Sequence, residues 1–209
     1  LDYLHVLLGL DKKKKIVFYA SDPSKEESQR YLTEKFLINY FARDKEFFFV
    51  IKTHPQDNGR VTHYAYLDSG QPNNVILIGD IAQKSSIISK KFRLFADFNF
   101  NAAVASCNGF LTFSSSSILQ ALTLEIKTGI VDKFENGFYD YLIEHKASLL
   151  IENEESLKNF LGSEKLYLSS EILSYCGLEK GTQEFNVGEH LIDCLGKNDG
   201  TNINTQMSR

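Results

Sequence analysis

The chain has no run of eighteen or more apolar residues, so no transmembrane helix is expected. Its N-terminus, LDYLHVLLGLDKKKK, carries the apolar part before the lysines, which is the wrong order for a secretory signal peptide. Cysteine is scarce. Cys107, Cys176 and Cys194 are odd in number, far apart and in no CxxC spacing. They read as reduced residues of a cytosolic protein, mostly in helical contexts. No His/Asp/Glu cluster has metal-ligand spacing, so no metal is expected. No GxGxxG or GxxxxGK[ST] loop occurs, which argues against a dinucleotide enzyme or a P-loop NTPase. GxSxG is missing too, so the serines discussed below are no nucleophile elbow. The only methionine is Met207 and residue 1 is leucine; the chain is therefore expected to be part of a longer protein.

What is present is ordinary for a soluble globular protein: 209 residues, 43% apolar and 24% charged, enough for one substantial domain. The net charge of −4 gives no overall attraction for nucleic acid. The basic run Lys12–Lys15 directly precedes a strand pattern and reads as a solvated flank.

Along the chain, short unbroken apolar runs alternate with helical patterns. Strands are expected at 16–20, 47–55, 73–79, 109–113, 127–132 and 148–152. Helices are expected at 24–44, 99–108, 116–124, 134–145, 153–161, 166–176 and 183–195. In 24–44 the helical stripe is Leu32, Phe36, Leu37 and Tyr40. In 153–161, Asn153 followed by Ser156 reads as a cap, with two acids in the first turn. Residues 81–97 read equally as helix or loop. Strands without polar alternation suit a parallel sheet covered on both faces. The expectation is a Rossmann-like α/β fold, mostly parallel and doubly wound. It spans 1–196 as one domain, with a polar, flexible tail at 197–209.

Ligands of such sheets bind outside the carboxyl ends of the strands. Two polar clusters fall there. One is Lys52-Thr53-His54-Pro55; the other is Ser114-Ser115-Ser116-Ser117, at the start of helix 116–124. Free N–H groups and the positive dipole end of a helix, with hydroxyls beside them, make a site for an anion. A lysine and a histidine from a neighbouring strand would add charged donors. The plainer readings are a helix cap for the serines and a turn for His-Pro. Among the other histidines, His5, His145 and His190 lie on helical stretches and read as surface residues; His63 follows a loop and is undecided. Asp80 and Asp132 follow strands on the ligand edge, where either could touch base or sugar, and read first as solvated loop aspartates. Phe134, Phe138 and Tyr139 in the loop 132–140 either wall a pocket or pack a helix onto the sheet.

These segments carry a resemblance. LLGLDKKKKIVFYASDP resembles the linker and first strand that open the C-terminal half of GT-B glycosyltransferases. VIKTHP resembles the IK-x-HP segment of bacterial sialyltransferases, capsule Kdo transferases and CDP-glycerol glycerophosphotransferases. GFLTFSSSSILQALTLEIKTGIVD resembles the strand, Ser-Ser, helix and strand that follow in that group. The similarity covers about residues 7–161. It implies the donor-binding half of a metal-independent glycosyltransferase of capsule or lipopolysaccharide synthesis. His54, the implied catalytic residue, and two of Ser114–Ser117, with Ser115 and Ser116 favoured, would then hold the donor phosphate, and Lys52 and Pro55 would belong to the same donor-binding site. It further implies no cofactor, a nucleotide-sugar donor (CMP- or CDP-linked first, UDP second) and a glycan or glycolipid acceptor. The acceptor site and general base would belong to a missing N-terminal domain. The place implied is the cytoplasm, with peripheral attachment of the full-length protein at the inner face of the membrane. The chain departs from the group at Gln120, where many relatives have glutamate, and at Glu125-Ile126-Lys127-Thr128, where a Gly-Lys-Pro turn is usual. Two alternatives stay open: a sugar-nucleotide 2-epimerase, whose Asp-Ser-Gly-Gly segment is here Phe113-Ser114-Ser115-Ser116, and a non-catalytic nucleotide-binding module.

Overall fold

Six residues, Lys15–Ala20, form the strand β1, and all after Lys15 are buried. The computed structural model describes residues 2–164 apart from 24–25, 57–59, 81–91, 96–97 and 138. The expected helices at 166–176 and 183–195, the tail, the boundary at 196, Cys176, Cys194, His190 and Phe138 lie outside the described residues. Strand β1 pairs in parallel with β2 (Phe47–Lys52) on one side and with β5 (Gly109–Thr112) on the other. Outward from β2 come β3 (Val75–Asp80) and β4 (Phe92–Phe95). Outward from β5 come β6 (Thr128–Val131) and β7 (Leu149–Ile151). The seven-stranded order is β4-β3-β2-β1-β5-β6-β7, and each pairing is parallel. The expected Rossmann-like, doubly wound α/β class is what forms.

Helices cover both faces. Inward-pointing residues alternate along β1, as the pleat requires. Val17 and Tyr19 face a core with α2 (Glu27–Arg43), α3 (Arg60–Asp68) and α7 (Glu154–Gly162). Phe41 of α2 stacks on Phe49 of β2 with ring centroids 4.4 Å apart. On the other face Phe18 stacks on Phe110 and meets Phe100 edge-on. There α1 (Tyr3–Leu8), α4 (Phe100–Ala105) and α5 (Ser117–Thr123) form the layer. None of the helices among the described residues is long and apolar enough to cross a membrane.

Four expectations are corrected. The stripe on α2 holds at Leu37 and Tyr40, which are buried, and at Phe36, which packs against the core, but not at Leu32, which is 48% exposed; Arg30, Thr33, Glu34, Ile38 and Phe41 complete the buried face. Apolar residues surround this helix, and only packing against Phe49 and α3 selects the inner face. The helix α3 and the strand β4 were not anticipated. Each is short, and β4 carries a charged Arg93; docking rather than propensity forms them. His5 is buried rather than at the surface, its Nε2 lying 2.9 Å from the Lys14 carbonyl oxygen. The helix expected at 134–145 is reduced to α6 (Asp140–Glu144), because the segment before it is held in a loop by Asp132, as described below.

α7 closes one end of the sheet. Its cap is a reciprocal box: the Asn153 side chain accepts from the Glu155 and Ser156 amides, and Ser156 Oγ accepts from the Asn153 amide. Phe160 then reaches over Gly109 and Gly129, whose missing side chains make room for it; a Cβ on Gly109 would lie 2.9 Å from the ring. Phe160 is fully buried. Phe160→Ala is expected to lower stability by about 3–5 kcal/mol through cavity formation, read as a shifted urea midpoint with unchanged m-value.

Candidate functional site

The carboxyl edge of the sheet is built around the end of β1. Ala20 is in register with Lys52 of β2 and with Thr112 of β5. Ser21-Asp22, Thr53-His54 and Phe113-Ser114 therefore leave three adjacent strands on the same edge. The chain builds outward from β1 in one direction and from β5 in the other. The crevice between their ends is the switch point where such sheets bind ligands. The serine segment stands at that crevice. His54 stands one strand beyond β1, so its backbone lies about 10 Å from that of Ser114 at ordinary strand spacing.

His54 is half-buried. The Gln56 amide donates to its Nδ1 at 3.2 Å. A ring nitrogen that accepts has no hydrogen, so in the neutral ring the proton sits on Nε2. The His-Pro turn thus both bends the chain and fixes the tautomer. Pro55 is exposed. Thr53 continues the ladder with β3, its amide donating to Ile78 O at 2.9 Å. Lys52 is buried, and its Nζ donates to Thr53 O at 3.0 Å and lies 5.9 Å from the Phe98 ring centre. The ammonium folds back on its own strand rather than standing open at the edge.

The four serines divide their work. Ser114 Oγ donates to a carboxylate oxygen of Asp22, and the Tyr139 hydroxyl donates to Ser114 O at 3.1 Å. Ser115 is the cap: its Oγ accepts from the Ser117 amide at 3.3 Å and donates to Ser117 Oγ at 3.0 Å, while its own amide donates to Thr112 Oγ1. Ser116 is exposed and makes no side-chain cap bond. The hydroxyl hydrogens of Ser116 and Ser117, and the amides of Ser114 and Ser116, have no acceptor among the described residues. One cap explains one serine and the Asp22 contact another; the donors named have no acceptor among the described residues.

Sequence reasoning passed over Asp22, which follows β1 in the segment SDP. It is buried, and its backbone carbonyl accepts from Arg30 Nη1 at 3.1 Å. Beneath it Ser21 Oγ donates to Glu34 Oε1 at 2.7 Å. Arg30 and Glu34, one turn apart on α2, are both buried. A polar layer thus runs from the crevice into the helix. The one available signal was a polar SDP directly after an apolar strand. Burial, and then the charge of Asp22, push the Tyr139 hydroxyl well above the usual tyrosine range, so Tyr139 stays a neutral donor.

Asp132 is corrected. It is buried, not solvated: its carboxylate accepts from the amides of Phe134, Asn136 and Gly137 and from Asn136 Nδ2, at 2.7–3.2 Å. It organises the loop that carries Tyr139 back to Ser114. The Asp80 side chain lies outside the described residues. His63 lies on α3 and is buried, its Nδ1 without a partner among the described residues. Burial lowers its pKa, and it belongs to the helix layer rather than the edge. Among the described residues no cluster of three or more His, Cys, Asp or Glu is placed to hold a metal ion.

No family model matches the chain, and no curated protein does. Solved structures similar to it include Staphylococcus aureus MnaA in a co-structure with UDP: 12% identity, TM-score 0.49, 74% of this chain and 39% of that one. Another is the α,α-trehalose-phosphate synthase (UDP-forming) of Burkholderia vietnamiensis: 13% identity, TM-score 0.48, 78% and 38%. A third is the C-terminal domain of the Francisella tularensis group 1 glycosyl transferase LpcC: 13% identity, TM-score 0.46, 75% and 76%. The chain spans about two fifths of the first two. Likeness at this level assigns no activity; the fold rests on the strand pairing above.

Asp132→Ala removes the acceptor of four N–H groups. It is expected to cost at least about 2 kcal/mol and to expose 133–137 to limited proteolysis, with the sheet retained by circular dichroism.

Proposed function

We propose that the chain is the donor-nucleotide-binding half of a metal-independent GT-B glycosyltransferase of bacterial surface polysaccharide synthesis. The observation that carries this reading is the shared register of Lys52, Ala20 and Thr112. It sets the His-Pro and serine segments on one edge, on either side of the strand at the switch point. The free donors of the serine segment supply the second support. Their geometry suits an anion, and a nucleotide diphosphate or monophosphate ester is long enough to bridge the two segments.

In the proposed reaction a sugar or glycerol-phosphate unit moves from an activated nucleotide to an acceptor hydroxyl. Negative charge grows on the leaving phosphate as the bond breaks. Donors already aimed at that oxygen lower the barrier without reorganising. His54 Nε2–H, the amides of Ser114 and Ser116 and the hydroxyls of Ser116 and Ser117 would fill that role. Asp22, held by Ser114, would accept from sugar or ribose hydroxyls rather than face phosphate. The acceptor and the general base would come from an N-terminal half outside this chain, working at the inner face of the membrane. CMP- or CDP-linked donors are the first choice of the His-Pro reading, with UDP second. The Ser-Ser-Ser sequence, in place of Asp-Ser-Gly-Gly, favours transfer over epimerisation.

Two measurements test this. Calorimetric titration of the 209-residue chain with CMP, CDP and UDP is expected to show weak binding, with Kd on the order of 0.1–1 mM, and no sugar transfer. In the full-length enzyme, His54→Ala is expected to cost about 2–4 kcal/mol, mostly in kcat, because the phosphate charge it meets develops in the transition state. A Ser116→Ala change should cost less, since backbone donors remain. Near-normal turnover by a folded His54→Ala enzyme would reduce His54-Pro55 to a turn and the serines to a cap.

A further inference from the structure

A cavity of about 550 Å³ lies at the opposite, amino edge of the sheet. The proposed donor site makes no use of it. Its size suits a small organic molecule. Its walls include Lys15 and Val17 of β1, Gly109 of β5, Lys127 before β6, and Phe160 of α7. Phe110 pairs with Thr128, so Lys127 stands beside Gly109, over which the Phe160 ring lies.

The polar groups facing this cavity are unbalanced. Lys127 is 9% exposed. Its Nζ donates to Leu161 O at 3.2 Å and to Ser163 O at 2.8 Å, and sits 4.9 Å from the Phe160 ring centre. An ammonium has three N–H groups, so one remains. The second cation, Lys15, shares the cavity and is exposed. Burial, and then the charge of Lys15, lower the pKa of Lys127. Asn108 accepts from the Ile16 amide through Oδ1, and its NH₂ has no partner among the described residues. No carboxylate lines the cavity among the described residues. A mostly buried cation is ordinarily paired with an anion; here two cations share a cavity with none. Cys107 also lines it, but burial pushes its thiol up to about 12, so it supplies no thiolate and no covalent chemistry.

We infer that the amino-edge cavity is a second ligand site, taking a small organic oxyanion whose phosphate or carboxylate sits between Lys15 and Lys127. The apolar part of the ligand lies against Ala105 and Leu161, lining residues that are only half-buried. Asn108 adds a neutral donor. The site is independent of the carboxyl edge, because the length of the strands separates the two.

Nuclear magnetic resonance of the ¹⁵N-labelled 209-residue chain tests this, with inorganic phosphate and acetate as probes and sodium chloride at matched ionic strength as reference. The expected result is a saturable shift of the Asn108, Gly109 and Lys127 amides with at least one oxyanion, beyond that with chloride. Saturation by phosphate alone identifies a phosphate ligand, by acetate alone a carboxylate ligand, and by both an oxyanion site of either kind. Lys15→Ala, at an exposed position, should weaken binding at least about fivefold through the lost charge. Lys127→Met should abolish it; if that variant does not fold, Lys15→Ala decides. Amides of Ser114–Ser117 report the other edge separately, so failure of one site is distinguishable from failure of the other. Shifts no larger than those with chloride, or unaltered binding in Lys15→Ala, would overturn the proposal.

Discussion

Everything in this fold depends on β1 having a neighbour on each side. A fully buried strand must satisfy its backbone N–H and C=O groups with two ladders, and β2 and β5 provide them. Beyond those partners the sheet grows outward in opposite directions. Right-handed crossovers then force the helices that follow β1 and β5 onto opposite faces. The loops leaving β1 and β5 lead to opposite helix layers, and the Ser114–Asp22 bond ties them at the rim. The crevice is a consequence of strand order, before any side chain is considered.

What fills the rim of that crevice is a set of polar groups that hold one another. Asp22 accepts from Ser114, Tyr139 donates to the Ser114 carbonyl, and Asp132 gathers the amides of the loop that brings Tyr139 there. Each carboxylate at the rim already has donors, so neither leaves a bare charge facing an incoming phosphate. The same arrangement fixes the serine segment, because its first residue is tied to β1 and its second caps α5. Rigid donors lose little freedom on meeting an anion. At the opposite edge the sign is reversed: Lys15 and Lys127 share a cavity with no carboxylate in its wall among the described residues.

The strands were legible because a parallel strand buried on both faces is written as an unbroken apolar run, as in IVFYA and FFFVI. The cap of α7 was legible because Asn153 and Ser156 act locally. Other features were not. On α2 periodicity found Leu37 and Tyr40 of the buried face but also chose Leu32, which is exposed, and passed over Ile38 and Phe41. α3 and β4 are stable only as docked segments. Asp132 looked like any loop aspartate, since the four groups it binds converge only once the loop is folded.

The sequence by itself determined the α/β class, the positions of most strands, and which polar clusters leave carboxyl strand ends. These depend on local burial and on period, which a linear pattern records. Only the tertiary structure decided that β1 lies between β2 and β5, that Ser115 is the cap while Ser116 and Ser117 keep free hydroxyl hydrogens, and that Asp22 stands at the rim. It alone brought Lys15 and Lys127 into one cavity. The strand order, the place of Asp22 and the meeting of the two lysines depend on pairings between residues tens to about a hundred positions apart, and no local pattern encodes which strand will lie beside which.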